Sequence, residues 1–265
     1  MGSMSSELTV VKLGGSLITN KDRPLALNMH GVDSSVKAIA RSFRSNKIGR
    51  LFLIHGGGSF GHYYARKFFL STTRKQIPAD GVSRIAASMI SLHSVVLDRL
   101  VSEGVPCKTV MTSEFLSSDG RRVSRSGERI LEDLFQCGFV PISFGNVSVT
   151  MNGSAIISGD QIALSLAKGQ NVKRAIFAMD VDGVYNNSQM KGNVIKDLNA
   201  ERFKLGKRRK FDVTGGIRTK IQVGLRLASL GTDVFYVNGT KGRRLESLLV
   251  GQDDVVSTKI HSKRI

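Results

Sequence analysis

The stretch His55-Gly56-Gly57-Gly58-Ser59-Phe60-Gly61-His62 places four glycines and two histidines directly after the apolar run Leu51-Phe52-Leu53-Ile54. A loop nearly free of side chains lets the backbone close on a ligand and aim several N–H groups at it. Phosphate is the ligand that uses such an arrangement, the more so where a helix starts next. His62 stands where the loop should turn into a helix and can touch the group being phosphorylated. Near its ordinary pKa of about 6.5, an imidazole there donates one hydrogen bond when neutral and adds charge when protonated. His55 directly follows the strand and is expected to be scaffold.

Other residues suited to anions lie elsewhere in the chain. Lys12 interrupts the β-rich run Leu8–Leu13, which ends in Gly14-Gly15-Ser16. A lysine inside an apolar strand is unfavourable unless an anion or a carboxylate meets it. Lys21 follows in a polar loop, and Thr214-Gly215-Gly216 leads into a segment carrying Lys220. Two acidic motifs, Ile157-Ser158-Gly159-Asp160 and Asp180-Val181-Asp182-Gly183-Val184-Tyr185, follow strand-like runs. Phosphoryl transfer needs two phosphates in line and charge neutralised on the moving group, with no covalent help from protein. Two glycine loops could hold acceptor and donor, with lysines as mobile positive charge. The sequence contains no GxxxxGK[ST], no GxGxxG after the first strand, no Ser-His-Asp pattern and no HExxH. Cys107 and Cys137 form no CxxC, which points to buried free thiols in a reducing compartment and away from metal ligation.

The elements that must position these residues alternate. Strands are expected at 8–13, 51–54, 105–111, 140–144, 175–179, 234–237 and 255–260, and a hairpin at 147–151 and 155–157 around Asn152-Gly153. Helices are expected at 33–45, 81–103, 127–136, 161–168, 217–230 and 244–249, while 186–212 reads as loop. This order predicts an α/β protein, a three-layer sandwich with a central mostly parallel sheet. The glycine and acidic motifs fall at the carboxyl ends of the predicted strands, where such sheets bind ligands. Ile85, Met89, Leu92, Val96 and Leu100 recur at helical steps. They are expected to be core, with an apolar substrate pocket as the sharper alternative. His93 on that helix is expected to be structural.

The chain of 265 residues carries a net charge of +18. The basic residues are spread out, with small clusters at Arg121-Arg122, Lys207-Arg208-Arg209-Lys210 and Arg243-Arg244. No RNP1 signature, zinc-finger spacing or tryptophan accompanies them, which favours an enzyme for anionic substrates over a nucleic-acid binder. A relative that lost catalysis and turned its charge on nucleic acid is the competing class; intact Lys12, Lys220 and His62 argue against it. No run approaches eighteen apolar residues and no signal peptide is visible, so a cytoplasmic location is expected. Met1-Gly2-Ser3 before Met4 reads as an added leader and is set aside.

Together these motifs resemble the amino acid kinase family, and within it the archaeal-type isopentenyl phosphate kinase branch. The resemblance runs from Val11-Lys12-Leu13-Gly14-Gly15-Ser16-Leu17-Ile18-Thr19 to Ser257-Thr258-Lys259-Ile260. Its most specific pieces are His55–His62, Ile157–Gln161, Asp180–Tyr185 and Asp212-Val213-Thr214-Gly215-Gly216. The histidine that closes HGGGSFGH discriminates the branch, and fosfomycin kinase is a near relative with a similar loop. The resemblance implies one domain over 4–265, with an acceptor-binding part at about 4–165 and a nucleotide-binding part at about 166–265. It implies ATP-dependent phosphorylation of isopentenyl phosphate to isopentenyl diphosphate, the last step of an alternative mevalonate route. Fosfomycin-kinase-like chemistry is the alternative.

The same resemblance implies ATP and Mg2+ as cofactors, no dedicated metal ligands, a small isoprenoid monophosphate as partner, no membrane or nucleic-acid partner, and a homodimer. Carried over by residue, His62 and Gly159 contact the acceptor phosphate and the Gly57 backbone contacts the acceptor. Gly58 faces the nucleotide's terminal phosphate. Lys12 and Lys21 neutralise the moving phosphoryl group, and Asp160 orients the lysines. Gly14, Gly15 and Ser16 hold donor phosphates, while Asp180, Gly216 and Lys220 lie on the nucleotide side. The basic loop 207–210 is more charged than the family pattern, and the residues closing around the isoprenoid tail are expected among Ile85, Ser88, Met89 and Leu92.

Overall fold

Alternation of short apolar runs with amphipathic segments makes strands that are buried on both faces and helices that cover them. In chain order the elements are β1 (Leu8–Leu13), α1 (Gly15–Ile18), α2 (Met29–Arg44), β2 (Arg50–His55), α3 (Gly58–Leu70), α4 (Ala79–Ser102) and β3 (Cys107–Thr109). Then follow α5 (Thr112–Phe115), α6 (Arg125–Gln136), β4 (Val140–Phe144), β5 (Asn146–Thr150), β6 (Gly153–Ile157), α7 (Gly159–Gly169) and β7 (Val172–Met179). The last are β8 (Asp197–Leu198), α8 (Gly215–Ser229), β9 (Asp233–Asn238), α9 (Gly242–Leu249) and β10 (Ser257–Ile260). The computed structural model describes residues 7–70, 77–116, 123–150, 153–186, 192–201, 203 and 215–262. The clusters Arg121-Arg122 and Lys207–Lys210, the turn residue Asn152, and Asp212-Val213-Thr214 lie outside the described residues. Both thiols are free, but neither is buried as expected: Cys107 is half-buried, and Cys137 is exposed where it caps the end of α6.

The main sheet has eight strands in the order β3-β4-β2-β1-β7-β9-β10-β8. Every neighbouring pair is parallel except β9 with β10. β5 and β6 form the expected hairpin as a separate two-stranded sheet. The two-residue β8 falls in a stretch read as loop from sequence; two residues are too few for a period-2 signal.

Period 2 along β1 divides two cores. Leu8 and Val10 face one cluster with Phe52, Ile54, Phe177, Tyr236 and α7. Val11 and Leu13 face the other with Leu51, Leu53, Phe235, α2 and α9. Lys12 continues the row of Leu8 and Val10, so the fold carries it into the first layer and leaves it 5% exposed.

Chain connections leave β1 toward β2 and β7 toward β9. The reversal of direction therefore lies between β1 and β7, and the crevice for ligands opens at their carboxyl ends. Gly14-Gly15-Ser16 ends one of these strands and Asp180 ends the other.

Helix α4 has the length and apolar composition of a membrane span. In the fold, however, Ile85, Met89, Leu92, Val96 and Leu100 on it are buried against the protein, so its apolar stripe is accounted for by the core.

Candidate active site

The two glycine turns pack backbone against backbone. A Cβ on Gly15 would collide with the Gly58 nitrogen, and one on Gly56 would come within 2.8 Å of the Gly15 nitrogen. Gly58 opens α3 at φ +46°, the left-handed region that favours glycine, and a side chain there would meet Thr19 and the Gly15 carbonyl at once. Thr19 clasps the pair: its Oγ1 donates to Gly15 O at 2.7 Å and accepts the Ser59 N–H at 2.9 Å. Sequence reasoning gave Thr19 no role, because the partner of its hydroxyl lies across the fold.

Helix α3 starts at Gly58, earlier than a glycine run suggests, so His62 sits one turn inside the helix. The Ser59 amide bonds to Thr19, and the Phe60 and Gly61 amides bond to Gly57 O at 3.0 and 3.1 Å. These bonds compensate the poor propensity of the glycines.

One expectation needs correction. The Gly14 N–H is not free for a donor phosphate, because it continues the ladder to Ala178 O at 2.8 Å. The next amides, of Gly15 and Ser16, lie past the end of that ladder in the first turn of α1.

Lys12 finds its counter-charge across 148 residues: its Nζ donates to Asp160 Oδ1 at 2.6 Å. Lys220 Nζ reaches the other oxygen, Oδ2, at 3.4 Å. Asp160 is delivered by the start of α7, where Ser158 and Gln161 form a reciprocal capping box. Gly159 permits the close approach, since a Cβ there would lie 3.2 Å from Lys12 Cε. Burial pushes the Lys12 ammonium down to about 8, with Asp160 pulling it back up and Lys220 adding to the fall. Burial alone would raise the Asp160 carboxyl, but Lys12 and Lys220 hold it below the usual carboxylate range. The Asp160 group therefore carries two cations on one carboxylate, an excess of one positive charge in a largely desolvated place.

Asp160 does not orient all the lysines. Lys21 belongs to Asp180, with Nζ to Oδ2 at 2.7 Å, and Ser16 Oγ donates to Oδ1 of the same carboxylate at 2.7 Å. Burial would raise the Asp180 carboxyl, and the bonds from Lys21 and Ser16 lower it. Ser16 and Asp180 thus bridge the crevice between β1 and β7.

Helix α8 is fixed beneath Lys220 by Tyr236, whose hydroxyl donates to Lys220 O at 2.6 Å. Gly224 leaves room for that hydroxyl, which would lie 2.6 Å from any Cβ at that position. Neither Tyr236 nor Gly224 stood out in the sequence. Gly216 is exposed, and nothing lies within 4 Å of where its Cβ would be, so packing does not require a glycine there. On the far side of the Asp180 turn, Asp182 accepts from Asn238 Nδ2 at 2.9 Å and from Arg244 Nη1 at 2.7 Å.

His62 is exposed on α3. Partial desolvation and the positive charges of Arg66, Lys220 and Lys12 lower its pKa, leaving the imidazole neutral at pH 7. Behind it Met89 abuts the loop, its Sδ lying 2.8 Å from a Cβ at Gly57 and 3.2 Å from one at Gly61. Met89 belongs to an apolar cluster with Ala65, Ile77, Ile85 and Phe144, bordered by Tyr64, Phe68 and Val147 and separate from the two cores of the sheet. Of the four α4 residues expected near a tail, Ile85 and Met89 join this cluster. Leu92 packs into the main core, and Ser88 Oγ donates to Phe60 O at 3.0 Å, tying α4 to α3.

The sequence profile of the amino acid kinase family matches residues 7–238. The chain belongs to the amino acid kinase family. Among its curated relatives is the isopentenyl phosphate kinase of Haloferax volcanii, 34% identical over 252 residues that span 92% of this chain and 96% of the relative. That of Methanocaldococcus jannaschii is 29% identical over 258 residues, with the same two coverages. Among solved structures, a product complex of Thermoplasma acidophilum isopentenyl phosphate kinase superposes with a TM-score of 0.77 at 26% identity, covering 96% of this chain and all of that one. In this member of the family the two glycine turns and the Lys12–Asp160 pair meet at the carboxyl ends of β1 and β2.

Proposed function

We propose that this kinase transfers the terminal phosphoryl group of ATP to isopentenyl phosphate, giving isopentenyl diphosphate for isoprenoid synthesis. The observation that carries the proposal is that a cationic group and a buried apolar cluster lie on the two sides of the glycine loop, with Met89 of the cluster abutting Gly57. On one side stands a group of cations and a neutral imidazole (Lys12, Lys220, Arg66 and His62). On the other lies the apolar cluster around Met89, Ile85 and Phe144. A monophosphate ester with a short hydrocarbon tail presents that same division; an amino acid acceptor such as glutamate does not.

In the proposed arrangement the N-terminal part, about 4–165, takes the acceptor and the part at about 166–265 takes the nucleotide. His62 Nε2 or Nδ1 donates a hydrogen bond to the acceptor phosphate, next to the Gly57 and Gly159 amides. The Gly15, Ser16 and Gly58 amides face the donor phosphates, and Lys21 swings from Asp180 to the transferred group. Lys12, held by Asp160, lies between the two phosphates and neutralises charge on the phosphoryl group in flight. Lys220 and Gly216 flank the donor.

Among the described residues no three His, Cys, Asp or Glu side chains cluster as a metal cage, and Asp160 and Asp180 are each engaged by lysines. Magnesium entering with the nucleotide would supply positive charge at the donor phosphates, and the carboxylates nearest that side, Asp160 and Asp180, are already engaged by Lys12, Lys220 and Lys21. A homodimer in the cytoplasm completes the proposal, and light scattering of the purified protein checks the assembly.

Two results are expected. First, kcat/KM for ATP falls as pH rises through about 8, because the lowered Lys12 ammonium is charged below that value and lost above it. At saturating ATP, kcat holds to higher pH, since bound phosphates raise the same pKa. A profile flat to pH 10 removes Lys12 from the nucleotide site. Second, His62→Ala raises the acceptor KM about 10- to 100-fold, as expected for losing a hydrogen bond to a charged group. Its ATP KM stays nearly unchanged.

The proposal itself is tested by ADP release with isopentenyl phosphate, fosfomycin, UMP and glutamate at equal concentration. Turnover with isopentenyl phosphate well above the others supports it. Turnover with fosfomycin and none with isopentenyl phosphate moves the chain to the fosfomycin-kinase-like alternative.

A further inference from the structure

Beneath the glycine loop runs a chain of polar groups, two buried histidines and a half-buried threonine, that the phosphoryl chemistry does not touch. His55 and His93 are 0% and 5% exposed, and both rings pack against Phe144, with centroids 5.2 and 4.5 Å away. His55 Nδ1 lies 3.1 Å from Gly56 O, His55 Nε2 lies 3.0 Å from His93 Nδ1, and His93 Nε2 lies 2.7 Å from Thr109 Oγ1. The chain passes from β2 under β4 to the edge strand β3.

Its direction is fixed at one end, because a carbonyl can only accept. His55 Nδ1 therefore carries the proton and its Nε2 accepts. His93 Nδ1 must then donate, leaving its Nε2 to accept the Thr109 hydroxyl. Every ring nitrogen is used once, both rings are neutral, and burial pushes His55 to about 3 and His93 to about 4.

The Gly56 N–H is held as well, donating to Leu13 O at 2.9 Å. A trans peptide sets C=O and N–H on opposite sides of its plane, and the described chain contains no cis bond. Holding Gly56 O toward His55 therefore turns the Gly57 N–H the opposite way, away from the His55 ring.

We infer that His55, His93 and Thr109 form a positioning relay that locks the Gly56–Gly57 peptide with its N–H aimed at the acceptor phosphate. The inference rests on the acceptor side assigned under the proposed function. It makes Thr109, on an edge strand, a positioning residue for a substrate it never touches.

Imidazole 15N spectra of the wild-type protein at pH 7 test the direction, and they do so without substrate. Both histidines are expected as the Nδ1–H tautomer, the less common form in free imidazoles. Kinetics then test the purpose. Thr109→Val removes the terminal donor and should raise the acceptor KM about fivefold to tenfold, the cost of one part-buried hydrogen bond. The ATP KM should stay within about twofold, since the altered peptide faces the acceptor. Thr109→Ser should restore the wild-type value. An Nε2–H tautomer at His55, or a Thr109→Val enzyme with unchanged acceptor KM, overturns the inference. A wild-type protein with no turnover on isopentenyl phosphate fails the functional proposal alone; the tautomers then decide the relay.

Discussion

Replacing Lys12 with Met lowers kcat by about 10³, equivalent to about 4 kcal/mol of transition-state stabilisation. The size follows from where the charge sits. Lys12 is 5% exposed and held 2.6 Å from Asp160 at the end of the central strand. A charge fixed in a desolvated crevice acts on a developing anion far more strongly than one in water, and no reorganisation is needed at the moment of transfer. Met keeps the length and bulk of the side chain, so the layer formed with Phe177 and Tyr236 survives. The remaining partner of Asp160, Lys220 at 3.4 Å, keeps that carboxylate from being stranded. Nucleotide affinity should fall much less than kcat, because the amides of both glycine turns remain. A Lys12→Met enzyme within tenfold of wild-type kcat would take Lys12 out of the reaction.

Asp160→Asn gives the second large effect, and its signature is a changed pH profile. Asn occupies the same volume but removes the charge that offsets burial of Lys12. Desolvation and the Lys220 charge already lower the Lys12 pKa, and only Asp160 raises it. Without that carboxylate the fall continues, and a larger share of Lys12 is uncharged at pH 7 than in the wild type. Activity at pH 7 should drop about 10²-fold. The sign of the pH dependence distinguishes this cause from misfolding. Lowering the pH toward 6 should recover a measurable part of the lost kcat/KM, because protons return to Lys12. Two unpaired lysines in one crevice should also reduce thermal stability, by about 2–4 kcal/mol. If the loss is the same at every pH, Asp160 acts through something other than the Lys12 charge.

The sequence showed each local piece of the site and almost none of the pairings that join the pieces. Strands ending in Gly14-Gly15-Ser16 and Gly56-Gly57-Gly58 are legible because apolar runs and glycines are short-range signals. The buried Lys12 called for a counter-charge, but that partner is 148 positions away and is brought in by the topology. Lys21 could not be assigned to Asp180 rather than Asp160 for the same reason. The Gly14 amide was miscounted because the length of the β1–β7 ladder depends on a strand that lies far along the chain. The capping box at Ser158 and Gln161 was readable in principle, as an S-x-x-Q pattern before an apolar run. Tyr236, Gly224 and Thr19 carried no such mark, since their roles are contacts between elements. His55 was legible as scaffold from its place at the strand end, while its bond to His93 required knowing that α4 crosses that strand.

The most direct measurement is 31P NMR of the protein with ATP, magnesium and isopentenyl phosphate. The account predicts that the acceptor's single monophosphate resonance is replaced by the two coupled resonances of a diphosphate ester. ADP should appear in equal amount, and no inorganic phosphate should form. An unchanged acceptor resonance, or ATP consumed with release of inorganic phosphate alone, would contradict it.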